Sequence, residues 1–318
     1  MSLDQKTTSL RSKAMRALGG HQVSDAVIKV KAIIGPTNIP DTEPLAQSAL
    51  DKLHKGEIPT PEEIIALEIV VRLLRPVVYS RNGKLDDLPD QQGKNLQPED
   101  LKDQWRDFRG MVEPVVSSIG RVERANGEHV GTGFLVAAGL LATNRHVLDQ
   151  LTFGAEVLAE GRARVVFKHE FRLINSSDDI VAIRGVAAIH RKLDMVLLEV
   201  ARQQRPPVAI DPAPAGEGIR VATIGYPADD KRNNPLFLSS VFGGQFGIRR
   251  AAVGEALDGS DSPTLFHDCS TTQGNSGSPV FRLSTGKVVG IHRSGFFMYR
   301  NEAVDGGELS KFVSSHAP

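Results

Sequence analysis

Residues 270–281 read Ser-Thr-Thr-Gln-Gly-Asn-Ser-Gly-Ser-Pro-Val-Phe, and this stretch decides how the rest of the chain is read. Gly274 and Gly277 bracket Asn275 and Ser276, and an apolar Pro279-Val280-Phe281 follows, so the pattern is a tight turn that delivers a serine just ahead of a strand. A serine hydroxyl is a weak nucleophile until an imidazole accepts its proton. The imidazole in turn needs a carboxylate to fix its tautomer and stabilise it once charged. Both partners stand upstream. LLATNRHVL (140–148) sets His146 at the end of an apolar strand, where a loop can hold it over a cleft, and HRKLDMVLLEV (190–200) sets Asp194 at the start of a buried strand. Asp178 and Asp179 compete for the carboxylate role but lie in a polar NSSDD turn, whereas the apolar run after Asp194 supplies the burial an orienting carboxylate needs.

The order His146, Asp194, Ser276 separates the folds that use this triad. An α/β-hydrolase runs Ser, Asp, His and carries Gly-x-Ser-x-Gly, but Ser278 stands here in place of the second glycine. A subtilisin runs Asp, His, Ser. The surroundings point the same way: VVSSIGRV, GTGFLVAA, RVVFKHEFRLI, MVLLEV, IRVATIGY, SPVFRL and KVVGIH are short runs rich in valine and isoleucine, spaced by glycines. Many short strands over one region argue a barrel or sandwich rather than a βαβ fold. GGELSKFVSSH closes the region with a helical pattern.

Residues 110–314 resemble a trypsin-like (chymotrypsin-fold) serine peptidase, and within that superfamily the bacterial glutamyl endopeptidases. TNRHV (143–147), the Asp194 strand, IGYP (224–227), TTQGNSGSPVF (271–281) and GIH (290–292) carry the resemblance. It implies an all-β double six-stranded barrel with a C-terminal helix, and a serine endopeptidase working through His146, Asp194 and Ser276 and an acyl-enzyme. It also implies an oxyanion hole made by the backbone N–H groups of Gly274 and Ser276. Animal trypsins keep an aspartate at the place of Asn275, which pairs with a newly cut N-terminal ammonium; an asparagine has no charge for that pair, so activation is expected to use another route. Ser270 stands where trypsins hold the aspartate that binds Lys or Arg. Thr271 and His292 match the pair that contacts a substrate carboxylate in glutamyl endopeptidases, with Arg293 and Gly295 completing the substrate-binding set. Cleavage after Glu or Asp is therefore the expectation, with a small apolar preference next. The resembling enzymes place a free N-terminal ammonium beside the pocket, whereas here residues 1–109 precede the barrel.

Composition removes other classes. The chain has 318 residues, 38 Lys plus Arg against 38 Asp plus Glu, and a single cysteine, Cys269. One cysteine closes no internal disulfide and builds no cysteine-rich zinc site. Zero net charge offers no global field to nucleic acid or an anionic membrane. The N-terminus has no apolar core of a signal peptide, and the longest apolar run, IIALEIVVRLL, is broken by Glu68 and Arg72. A cytoplasmic protein with no cofactor, no metal and a protein or peptide substrate is expected. His129, His169 and His190 lack ligand spacing and read as surface or strand histidines, and Cys269 reads as a small hydrophobe beside the pocket.

Ahead of the barrel the periodicity changes from two to that of a helix. Thr60, Pro61 and Glu63 form a capping box opening EEIIALEIVVRLLR, which Pro76 ends. Val23, Ala26, Val27, Val30 and Ile33 share a helical face, and weaker helices are expected near 8–18 and 43–54. PTPEEIIALEIVVRLLRPVV also resembles, more weakly, a helical segment seen ahead of trypsin-like modules in bacterial multidomain proteins. The expected division is a helical regulatory or partner-docking domain at 1–79, a polar linker at 80–109 and a peptidase domain at 110–318. The acidic linker residues Asp86, Asp87, Asp90, Glu99, Asp100 and Asp103 make self-cleavage that frees the barrel an expectation of the acidic specificity. The competing function is a catalytically idle scaffold that only binds partners.

Overall fold

The computed structural model describes residues 11, 14, 15, 18, 24, 42–73, 75–88, 99–173, 179–232, 235–296 and 300–316. The helix expected around Val23 to Ile33 lies outside the described residues.

Helices α1 (Thr42–Lys55) and α2 (Pro61–Leu73) pack through Ala46, Ala49, Leu50 and Leu53 against Ala66, Leu67, Val70 and Val71, with Ala14 and Leu18 in the same cluster. The capping box forms: Thr60 N–H donates to Glu63 Oε2 at 2.7 Å and Glu63 N–H donates to Thr60 Oγ1 at 3.3 Å. Glu63 also accepts from Ser48 Oγ at 2.6 Å and Lys52 Nζ at 2.9 Å, so the cap of α2 is a tie to α1 as well. These bonds pull the Glu63 carboxyl down to about 2.

The first barrel closes in the order β3 (Ile119–Arg124), β4 (His129–Ala137), β5 (Leu140–Thr143), β8 (Val196–Val200), β7 (Ile180–Ile189), β6 (Ala163–Val166). Val122, Leu135, Leu141, Val165, Ile183 and Leu198 fill it. Strand β6 stops at Val166, short of the run expected through Ile174, because the chain must turn to carry Glu170 inward. Glu170 is 3% exposed and accepts from Arg249 Nη1 at 2.7 Å and Ser80 Oγ at 2.6 Å.

The second half is an eight-stranded sheet with the remaining strands in the order β11 (Thr264–His267), β14 (Arg300–Asp305), β13 (Val288–Phe296), β12 (Pro279–Arg282), β9 (Arg220–Gly225), β10 (Arg250–Glu255), β1 (Val77–Arg81), β2 (Lys84–Leu85). Six of these are the strands expected of the second barrel. The other two, β1 and β2, come from ahead of residue 110 and extend the sheet past β10. Val77, Val78 and Tyr79 pair with Ala252, Ala251 and Arg250, while the far end of β10 meets β11 through the Ala256–His267 bridge. One edge of β10 is thus shared between an N-terminal strand and β11.

The supposed linker is equally structured where it is described. Helix α3 (Glu99–Val116) buries Leu101, Trp105, Phe108, Val112 and Val116, one stripe at helical spacing, in the same core as Phe281 of the sheet and Leu283 just past it. Phe108 meets Phe281 edge-on at 5.9 Å, and Trp105 Nε1 donates to the Asp86 carbonyl at 3.1 Å. The polar composition of 80–104 hid this because its apolar residues fall only on one face. Helix α5 (Gly306–Ser314) ends the described chain as expected, capped by Asp305 accepting from Glu308 N–H at 2.9 Å.

Candidate active site

His146 sits in the first turn of a short helix, α4 (Arg145–Thr152), rather than in the loop the sequence suggested, because Val147, Leu148 and Leu151 bury one helical face. The two oxygens of Asp194 divide the work of orienting it. Oδ1 accepts the His146 backbone N–H at 3.0 Å, and Oδ2 lies 2.7 Å from His146 Nδ1. A carboxylate only accepts, so Nδ1 carries the proton and Nε2 of the neutral ring is left with a lone pair. Asn144 Nδ2 donates to the Asp194 carbonyl at 2.9 Å. Burial alone would raise the Asp194 carboxyl, but the hydrogen bonds and charge of His146, with the more distant Arg293, hold it below the usual range. Of the competitors, Asp179 is buried and paired with Arg205 at 3.0 Å, not solvated as expected; Asp178 lies outside the described residues.

His190, read as a surface or strand histidine, builds the turn that presents Asp194. Its Nδ1 accepts the N–H groups of Leu193 at 2.9 Å and Lys192 at 3.2 Å. His129, on β4, is half-buried and lies against the serine turn: a Cβ at Gly274 would meet its Cε1 at 2.4 Å.

The turn carrying Ser276 is docked onto the first barrel. Thr132 N–H donates to the Ser276 carbonyl at 2.8 Å, and Thr132 Oγ1 donates to the Gly274 carbonyl at 2.7 Å. Both Gly274 and Gly277 have φ of 85°, and a Cβ at Gly277 would lie 2.1 Å from the Thr132 carbonyl oxygen and 2.3 Å from Thr143 Oγ1. Thr143 ends β5, three residues before His146, so one strand end positions both the histidine and the serine turn. Within the turn, the N–H groups of Asn275, Gly277 and Ser278 are spent on Thr272, His292 and Asn275 carbonyls. Those of Gly274 and Ser276 reach no acceptor among the described residues. These are the two donors expected of an oxyanion hole. The hydrogen bonds of His146 run to Asp194, and none joins it to Ser276 among the described residues.

A cleft of about 460 Å³ opens beside Ser276. Thr271, His292, Arg293 and Gly295 line it as expected, together with Asp230, Arg232 and Gln273, which the sequence did not suggest. Ser270 is 3% exposed and lies behind the wall rather than on it. Thr271 spends its hydroxyl proton on Asn301 Oδ1 at 2.9 Å. His292 is 3% exposed, with Nδ1 3.2 Å from His267 Nε2; burial first, then the charges of His267 and His146, keep it well below the ordinary histidine value and therefore neutral. Arg293 pairs with Glu302 at 3.0 Å. Arg232 grips Asp230 with a fork, Nε to Oδ1 at 2.8 Å and Nη2 to Oδ2 at 2.7 Å, while most of its side chain faces solvent. Cys269 is wholly buried, and burial pushes its thiol up to about 12, so it packs as the expected small hydrophobe.

A closed six-stranded barrel and a second, eight-stranded sheet, with a His-Asp pair and a glycine-flanked serine turn, match the class of chymotrypsin-fold serine peptidases. The chain belongs to the trypsin-like peptidase domain family, whose model matches residues 131–291. Among solved structures, the serine endoprotease from Yersinia pestis is 18% identical, covering 65% of this chain and 65% of that chain with a TM-score of 0.48. The active form of the Rv3671c protease from M. tuberculosis is 19% identical, covering 65% of this chain and 84% of that chain with a TM-score of 0.45. No curated protein sequence matches the chain. Among the described residues no helix is long and apolar enough to cross a membrane, and no cluster of side chains could hold a metal ion.

Proposed function

We propose that the chain is an endopeptidase in which Ser276 attacks the scissile carbonyl, His146 takes its proton and Asp194 orients the ring. Attack moves negative charge onto the carbonyl oxygen, and the two uncommitted N–H groups of Gly274 and Ser276 receive it. His146 then returns the proton to the leaving amine, and water repeats the sequence on the acyl-enzyme. The observation that carries this reading is the Asp194 clamp on His146 beside a turn with two amides left unspent.

An acidic side chain is the substrate we assign to the cleft. Neutral His292 faces it, and if Nδ1 accepts from His267, Nε2 carries a proton that a carboxylate can take. Arg232 and Arg293 add positive charge at the lining, each tempered by its own carboxylate. The helical unit before the barrel acts as a regulator or docking module for a protein partner.

The test is labelling of the full chain by a fluorophosphonate, compared with Ser276→Ala, followed by cleavage profiling on a denatured proteome. Labelling of the wild type alone supports the peptidase. Equal labelling of both, or none of either, favours a binding scaffold, and products ending mainly in Leu, Phe, Lys or Arg sink the acidic preference.

A further inference from the structure

A buried cation from the N-terminal segment reaches the chain three residues ahead of Thr271 in the cleft wall. Arg75, between α2 and β1, is 6% exposed. Its guanidinium spans Glu255 Oε1 on β10 at 3.2 Å and Asp268 Oδ2, just past β11, at 3.1 Å. Both carboxylates are buried as deeply. Asp268 also accepts the Glu255 N–H at 2.7 Å through Oδ1 and donates its own N–H to the Glu255 carbonyl at 3.1 Å.

These bonds staple β10 to the end of β11 beside the Ala256–His267 bridge. The next residues are Cys269, Ser270 and Thr271. Asn301 holds this segment from the other side, donating to the Cys269 carbonyl at 2.6 Å and accepting from Thr271 Oγ1. Two carboxylates in a dry interior repel, and Arg75 sets positive charge between them. Burial works against the charge on Arg75, yet the two carboxylates more than offset it and raise the guanidinium above its ordinary value. The strand that follows Arg75 is fixed independently, since Ser80 Oγ and Gly83 N–H both donate to Glu170.

We propose that Arg75 is a positioning residue: its guanidinium holds the buried Asp268–Ser270 segment, which leads into the cleft wall at Thr271, against β10, so the catalytic unit of this chain begins at Arg75 and not at residue 110. The kinetic consequence rests on the peptidase reading, and the structural consequence does not.

The experiment compares the full-length wild type with Arg75→Met, Arg75→Lys and the charge-neutral triple variant Arg75→Met/Glu255→Gln/Asp268→Asn, with Trp105 fluorescence reporting folding. In folded Arg75→Met, or in the triple variant should the single one fail to fold, amide exchange across Cys269–Thr272 accelerates at least about tenfold while the first barrel is unchanged. KM for a peptide rises at least about tenfold, and labelling by a small fluorophosphonate, which needs no side-chain pocket, falls by less. Arg75→Lys, which keeps the charge and loses the fork, recovers part of both. Unchanged exchange with unchanged KM overturns the proposal, as does a triple variant with wild-type KM. A wild type that never labels sinks the peptidase reading alone, and the exchange measurement still decides the role of Arg75.

Discussion

Ala228 donates its backbone N–H to the carbonyl oxygen of Gln273 at 2.6 Å. The C=O and N–H of one trans peptide point in opposite directions, so this bond also aims the N–H of Gly274 away from Ala228. Thr272 Oγ1 returns a bond to the Ala228 carbonyl at 2.9 Å, and the Gln273 amide helps hold Asp230 below the usual carboxylate range, behind the larger effect of Arg232. A neighbouring loop therefore braces the turn that leads to Ser276 at the place where Asn275 has no charge to do so.

Removing one brace tests this. In Asp230→Ala, kcat falls about tenfold to a hundredfold while KM stays within about threefold, since the oxyanion donor is used only after attack. An unchanged kcat in steady-state assays rules the brace out.

Gly277→Ala puts a methyl group 2.1 Å from the Thr132 carbonyl oxygen at a backbone φ that L side chains rarely adopt. The turn must leave Thr132, and fluorophosphonate labelling drops by about a hundredfold or more. Labelling at the wild-type rate in a folded variant contradicts the docking described above.

Cutting the chain between Leu88 and Glu99 does not release the N-terminal part. Val78, Leu85 and Leu88 belong to the same core as Ile224, Val253 and Phe281. A specific protease site inserted there should give a nicked protein that migrates as one species on size exclusion and keeps its activity. Dissociation of the fragments, with activity rising, would restore the idea that self-cleavage frees the barrel.

Stability depends on pH through histidines kept neutral. Burial, then the charge of Arg121, holds His129 down to about 3 against the pull of the Gly131 carbonyl, and His292 is also held low. Below about pH 6.5 the unfolded chain takes up protons that the folded one refuses. The stabilisation is thus complete above that value and is lost as pH falls, by about 1.4 kcal/mol per pH unit for each such histidine, until the native value is reached. Urea unfolding between pH 7 and 5 checks this: His129→Gln should flatten the slope by about one proton, and identical slopes reject it.

The serine turn, the Asp194 strand and helix α2 are legible because their signals are local. The glycines around Ser276, the apolar run after Asp194 and the cap at Thr60 each announce themselves within a few residues. The second sheet was only partly legible, since β1 is a strand by virtue of a partner at residues 250–252, and nothing within 77–81 records that pairing. Helix α3 is illegible for a different reason: its apolar stripe is diluted by charge, so the composition of 80–109 suggests a linker although Leu101, Trp105, Phe108, Val112 and Val116 recur at helical spacing. Arg232 and Asp230 carry no motif, and only the folded chain brings them beside Gln273.

The shared edge of β10 also bears on how the protein is made. Arg75 meets Glu255 and Asp268 across sequence separations of 180 and 193 residues. The N-terminal strand therefore leaves the ribosome long before its partner exists, and contacts of such range form slowly. Until then Val77 to Arg81 is an open edge, a template for other chains. Synthesis of this protein thus passes through an interval in which its earliest β-strand has no partner strand.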